Sequence, residues 1–215
     1  VKAALSGSGI IGTGLGPYSP GTAYVLLHHY MGEVDGSIGS WGFARGGMGS
    51  VSNALAGALQ EHDGEIKTNA EVKQILVKNG RSVGVVLENG DELYAKNIVS
   101  NLDVKRTYLK LFEHGDLDEK IINQVENFKI RGSSGKLNIA LDGLPEFPAM
   151  GKNNPLMHAD MHFIDSLDRI ERAFDDWKNG RWSSDPYCDT LIPTLTDPTM
   201  APPGKHYMSV FVQYA

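Results

Sequence analysis

The chain has a single cysteine, Cys188, in 215 residues. That excludes an internal disulfide and any Cys-X-X-Cys redox or zinc motif, and it fits a reducing compartment. Basic residues are not in excess: 20 Lys and Arg stand against 26 Asp and Glu, for a formal net charge of −6. Scattered as they are, they leave no electrostatic footprint for nucleic acid. No apolar run approaches the length of a membrane span. Val1 to Leu5 show no secretory signal, although the first residues of a chain that is only a piece are silent on targeting. Internal repeats and low-complexity tracts are missing too. What is left is an ordinary globular composition, 41% hydrophobic and 21% charged, with enough residues for one main body.

Glycine is what the chain does have, and its most telling cluster runs from Trp41 into an amphipathic segment. Met48, Val51, Leu55, Ala58 and Leu59 recur at helical spacing, so the pattern predicts a helix over 48–62, stopped by Asp63-Gly64. Gly46, Gly47 and Gly49 then sit at its N-terminus. Free N–H groups and the positive end of the helix dipole attract an anion or an electron-rich ring atom there. A tight turn feeding a core helix is the plainer reading of the same residues. A second glycine pattern, Gly7-Ser-Gly-Ile-Ile-Gly12, matches G-x-G-x-x-G. The dinucleotide fingerprint needs a helix opening at the third glycine, and the breakers of Thr13 to Pro20 deny it one.

The rest of the chain reads as alternating helices and strands. Ser19-Pro20 makes an N-cap and first-turn pair for a helix over 20–31. Its adjacent His28 and His29 point about 100° apart and cannot form an i, i+4 metal pair; one facing a ligand, or both half-exposed without chemistry, are the open readings. Asn79-Gly80 and Asn89-Gly90 predict turns joining strands 65–78, 81–87 and 93–100 in an antiparallel piece with helix 48–62 packed beside it. Covering helices follow at 103–113 and 117–128, then a strand over 136–142, a loop over 144–155, a helix over 166–178 and strands over 189–195 and 207–215. Along the 166–178 helix, Leu167, Ile170, Ala173, Phe174 and Trp177 form one stripe. His158, Asp160 and His162 alternate with apolar residues, so on a strand they share a face. A His/Asp/His metal site is the sharp reading; with no fourth ligand nearby, a polar outer face is preferred and no metal is expected.

Four runs carry a resemblance: Gly46-Gly-Met-Gly-Ser-Val-Ser-Asn-Ala-Leu55, Gly64-Glu-Ile-Lys-Thr-Asn-Ala-Glu-Val-Lys-Gln-Ile75, Gly84-Val-Val-Leu-Glu-Asn-Gly90 and Ala95-Lys-Asn-Ile-Val-Ser-Asn101. In order and spacing they are similar to the middle of the flavin-dependent phytoene-dehydrogenase and amine-oxidase superfamily. The flanks Pro17–Val34 and Asp197–His206 extend the likeness over essentially the whole chain.

The resemblance implies an α+β fold: a mixed or antiparallel sheet with packed helices, the substrate-domain portion of a FAD-linked oxidoreductase plus part of its FAD-domain β-meander. Residues 1–47 would be an entry segment with a substrate-domain helix. Residues 48–101 would hold the glycine-turn helix and strands bordering the FAD domain, and 102–215 a truncated substrate-binding portion. It implies that Gly46, Gly47, Met48 and Gly49 lie beside the flavin ring and substrate. The backbone of Val72, after Glu71, would meet the adenine, with Ser100 and Asn101 near the cofactor; the plainer role for Asn101 is to cap the next helix. No catalytic side chain is assigned. The expected activity is removal of hydride from a small organic substrate, hydrophobic substrates included, with FAD carrying the redox chemistry. The alternative is a non-catalytic binding or assembly module that keeps the scaffold without the cofactor. As a central fragment lacking the family's dinucleotide fold, the chain is expected to be inactive alone, to carry no FAD and to self-associate. The cytoplasm is the expected location, with the mitochondrion open to a eukaryotic relative.

Overall fold

Asn79 and Gly80 both adopt left-handed conformations, φ 53° and 72°, the requirement of a two-residue turn whose twist matches that of the strands it joins. In the computed structural model, which describes residues 2–151 and 154–215, they close the β-meander that organises one of two compact units. This unit comprises residues 59–131, the other residues 1–58 with 132–215.

In the 59–131 unit, β3 (Val72–Lys78), β4 (Arg81–Leu87) and β5 (Glu92–Tyr94) pair antiparallel in sequence order. The first strand starts later than the sequence predicts. Residues 65–71 hold a left-handed Asn69, φ 53°, and do not extend the ladder. The third ends at Tyr94: after Ala95 donates its N–H to the Val83 carbonyl, the chain leaves the sheet. Helices α4 (Val104–Lys110) and α5 (Glu119–Glu126) are each started by an aspartate side chain. Asp103 accepts from the Arg106 N–H and Asp118 from the Lys120 N–H. The cap of α4 is therefore Asp103 and not Asn101. Ile75 and Leu87 of the meander and Val125 of α5 are buried.

The other unit is built on a four-stranded antiparallel sheet of order β6-β9-β8-β7: Ser134–Leu141, His206–Gln213, Tyr187–Leu191 and Met161–His162. β8 stops before Ile192 because Pro193 has no N–H to continue a ladder, and 193–195 form a 3-10 turn. Helix α6 (Leu167–Lys178) opens on the Ser166 side chain and buries Ile170, Ala173 and Phe174. They form a core with Ile10, Tyr187 and Tyr214. Burying a large apolar side chain such as Ile170 or Phe174 contributes about 1.5–3 kcal/mol.

The G-x-G-x-x-G run falls largely inside helix α1 (Lys2–Ile10). Its end is tied down by Gln213, whose side-chain amide donates to the carbonyls of Ile10 and Thr13 and accepts the Gly12 N–H. Those groups are committed to the fold, as the breakers in the sequence suggest. Helix α2 (Thr22–His29) packs on α1 and starts at Gly21, φ 99°, instead of at Ser19. The Ser19 hydroxyl accepts the Gly16 N–H, so it caps nothing. Asp35-Gly36, both left-handed, turn a short hairpin of β1 (Glu33–Val34) and β2 (Ser37–Ile38) that the sequence reading passes over.

Helix α3 (Gly49–Glu61) ends as expected. Asp63 is left-handed, φ 58°, and its N–H and that of Gly64 close onto the carbonyls of Gln60 and Leu59. None of its residues is buried. Met48, Val51, Leu55 and Leu59 all stay exposed.

Candidate functional site

The glycine turn before α3 is held by a residue far along the chain. Asp197 accepts the Gly46 N–H at 2.6 Å and the Thr199 N–H and hydroxyl. The Gly46 N–H first, and Thr199 second, hold its carboxyl below the usual carboxylate range. Gly46 and Gly47 are left-handed, φ 80° and 84°, and the Gly47 N–H closes a turn onto the Ala44 carbonyl. The two N–H groups that follow, on Met48 and Gly49, make no hydrogen bond among the described residues. They are the free donors that a helix N-terminus presents. A Cβ at Gly49 meets nothing within 4 Å, whereas at Gly47 it stands 3.3 Å from Met200 Cε on top of an unfavourable φ. Two of the four residues, Gly46 and Gly47, thus answer a backbone demand; Gly49 answers none among the described residues.

Glu71, Val72, Ser100 and Asn101, separated by some thirty positions, line one cleft of about 550 Å³ in the 59–131 unit. Ile75, Val85, Ile98 and Val99 supply apolar walls, and Arg106 and Lys110, one helical turn apart on α4, supply cationic edges. The Ser100 hydroxyl is committed to Thr107 at 2.8 Å and to the Leu102 N–H. The Asn101 side chain makes no hydrogen bond among the described residues, so it is the amide free to meet a ligand. Sequence reading misses the two cations, and their i, i+4 spacing just after Asn101 is the signal that points to them. A flat aromatic group between apolar walls, with anionic oxygens near Arg106 and Lys110, suits this donor set.

The histidines fall out differently from the sequence pattern. His29 bonds the Ser8 carbonyl and packs on Trp41, centroids 5.6 Å apart, so it joins α2 to α1. His158 ends a 3-10 turn over 155–158 and does not share a strand face with Asp160 and His162. The strand register brings in Asp189 instead, directly opposite His162. His162 Nε2 lies 2.9 Å from Asp160 Oδ2 and 3.9 Å from Asp189 Oδ2. The Asp160 hydrogen bond raises the His162 pKa, against the effect of burial. Burial, with the adjacent Asp160 carboxyl, pushes the Asp189 carboxyl up to about 7.

Comparison with known proteins agrees with this architecture. The mouse (Mus musculus) protein described as pyridine nucleotide-disulfide oxidoreductase domain-containing protein 2 is 34% identical over 224 residues, covering 100% of this chain and 38% of its own length. A chloroplastic prolycopene isomerase of Daucus carota is 34% identical over 193 residues, covering 86% of this chain and 28% of its own. The chain thus spans well under half the length of these relatives. Among solved structures, an oxidoreductase from Methanosarcina mazei superposes with a TM-score of 0.65 at 22% identity, over 100% of this chain and 43% of that one. The sequence pattern of one family, described as "Flavin containing amine oxidoreductase", matches residues 3–212. The chain belongs to the flavin containing amine oxidoreductase family.

Proposed function

We propose that this chain forms part of a FAD-dependent oxidoreductase of the phytoene-dehydrogenase type that removes hydride from an organic substrate. The observation that supports this most is the cleft shared by Glu71, Val72, Ser100 and Asn101, residues singled out for one ligand from two separate stretches of sequence. In this reading, the Val72 backbone and Asn101 side chain hold FAD in the 59–131 unit, with Arg106 and Lys110 toward its phosphates. In the other unit, the free Met48 and Gly49 N–H groups at the start of α3 are donors for an electron-rich ring atom or an anion. FAD, when bound, supplies the redox chemistry; the residues described here bind, orient and exclude water. The substrate is small and hydrophobic. Supporting that, Tyr24, Leu27, Met31, Ile38, Trp41 and Phe43 leave an exposed apolar surface on α2, the hairpin and the segment leading to the glycine turn. The test is flavin absorbance in the full-length protein and its bleaching by candidate organic substrates under anaerobic conditions. Full-length protein without bound flavin, or with flavin that Asn101→Ala and Lys110→Glu leave equally tightly bound, overturns this reading.

The 215-residue chain by itself is inactive and holds no FAD through purification, since its G-x-G-x-x-G lies within a helix whose end Gln213 occupies. It self-associates through the exposed apolar side of α3, and it resides in the cytoplasm. A flavin spectrum in the purified chain, a strictly monomeric mass in solution, or fractionation away from the cytosol argues against each of these in turn.

A further inference from the structure

In the four-stranded-sheet unit, three electron-pair donors from two stretches of chain, 160–162 and β8, converge on one point. One ligand atom each from Asp160, His162 and Asp189 lies within 4.8 Å of the other two. Atoms bound to one ion at about 2.0–2.2 Å stand roughly 3–4 Å from each other, so the 2.9 and 3.9 Å separations from His162 Nε2 already fit a shared ion. The fold presets the arrangement. His162 and Asp189 are register partners on β7 and β8. The His162 ring also meets the backbone of Ala4 on α1, the kind of second contact that orients a ligand histidine.

The Asp160 carboxylate pairs with His162 and also shares a hydrogen bond with the Asp189 carboxyl, so two carboxyls are packed against one imidazole. The Asp189 side chain is only 13% exposed. Beside them stands Tyr187, two residues before Asp189 on the same face of β8, its ring edge-on to His162 with centroids 5.5 Å apart. Tyr187 is 1% exposed and its hydroxyl, which lies against Gly7 of α1, has no hydrogen-bond partner among the described residues, although a buried hydroxyl left unpaired costs about 1–3 kcal/mol. A carboxylate pair, one imidazole and an orphaned hydroxyl make a set that a dication with its bound water would satisfy. The imidazole favours a zinc-like ion over the magnesium or calcium that an all-oxygen set selects.

We propose that Asp160, His162 and Asp189 form a three-ligand site for a divalent transition-metal ion of the zinc type, with an open coordination position on the side where Asp160 is 44% exposed. Three protein ligands with a free position is the pattern of zinc sites that carry a reactive water. The proposal is independent of the flavin reading.

The test is equilibrium dialysis of the 215-residue chain, stripped with EDTA, against ZnCl2. The wild type should bind one equivalent, and its melting temperature should rise with zinc but not with the same concentration of MgCl2. Asp189→Asn and His162→Gln should each weaken zinc binding about tenfold or more while far-UV circular dichroism stays unchanged. His158→Ala, which removes the neighbouring histidine outside the cluster, should bind as the wild type does. Where Asp189→Asn does not fold, the zinc-dependent melting shift of the wild type and its loss in His162→Gln decide the matter. No saturable zinc uptake by the wild type, unchanged uptake in His162→Gln, or uptake lost equally in His158→Ala overturns the proposal and leaves an ion pair.

Discussion

Helices α3 and α6 carry the same signal and meet different ends. Each is about three turns long, with apolar residues at i, i+3 and i+4 on one stripe. In α6 the stripe disappears: Ile170 is fully buried and Ala173 and Phe174 nearly so, against Ile10, Tyr187 and Tyr214. In α3, Met48, Val51, Leu55 and Leu59 remain open and no residue is buried. Periodicity therefore reports which face of a helix seeks burial and is silent on what covers it. For α3 the informative part is its beginning, where two left-handed glycines and two free N–H groups precede the stripe.

The largest effect should come from opposing the two stripes directly. Phe174→Ala should remove about 3–5 kcal/mol of stability, the range for a buried aromatic cut to a methyl. Leu55→Ala on α3, measured in protein dilute enough to be monomeric, should stay within about 0.5 kcal/mol, as surface substitutions do. Chemical denaturation of the two variants measures both. Equal losses at that dilution would mean that the α3 stripe is covered within the chain itself, and not by the second copy that self-association brings.

A smaller pair of effects separates fold from ligand. A Cβ at Gly84 stands 2.5 Å from the Leu93 carbonyl oxygen, so Gly84→Val must push β5 off its neighbour and should cost about 1–3 kcal/mol. Gly49→Val meets open space and should leave the melting temperature nearly unchanged. In the full-length protein, its side chain should instead intrude on the ligand and slow flavin reduction by roughly five- to a hundredfold, equivalent to about 1–3 kcal/mol. Gly47→Val is the poorer probe, because its left-handed φ mixes backbone strain with any ligand effect. Normal reduction by the Gly49→Val enzyme would make the turn a structural joint only.

Much of the architecture was legible wherever one local demand decided the outcome. Asn79-Gly80 left the chain one turn type, and Asp63-Gly64 one way to end α3. Strand limits were not legible at 65–71 or 95–100, where β-branched residues promise pairing but Asn69 and the departure after Ala95 break the ladder. In the candidate site, Glu71, Val72, Ser100 and Asn101 could be named from sequence, yet their common cleft is a product of tertiary folding, as are Arg106 and Lys110 on its edge. The His158, Asp160 and His162 pattern was half right for the same reason. Alternation places residues on a face only if a strand persists, and a 3-10 turn carries His158 away while β8 delivers Asp189 across the ladder.

The smallest effect bears on what holds the start of α3 in place. Asp197 reaches the Gly46 N–H across 151 positions of sequence and ties its own 3-10 turn through Thr199. Its carboxyl titrates below the usual range because the Gly46 N–H favours the charged form. A group with a depressed folded pKa contributes stability in full above its unfolded value, about 4, and loses it as the pH falls through the folded value. Asp197→Asn keeps an acceptor oxygen but gives up the charge, so near neutral pH it should lower the melting temperature by about 2–4 °C. The gap to the wild type should then narrow steadily as the pH is brought below 4 and the wild-type carboxyl takes up its proton. A gap that is constant from neutral to acid pH would mean that Asp197 holds the turn by shape alone, and that its charge does nothing for the glycine turn.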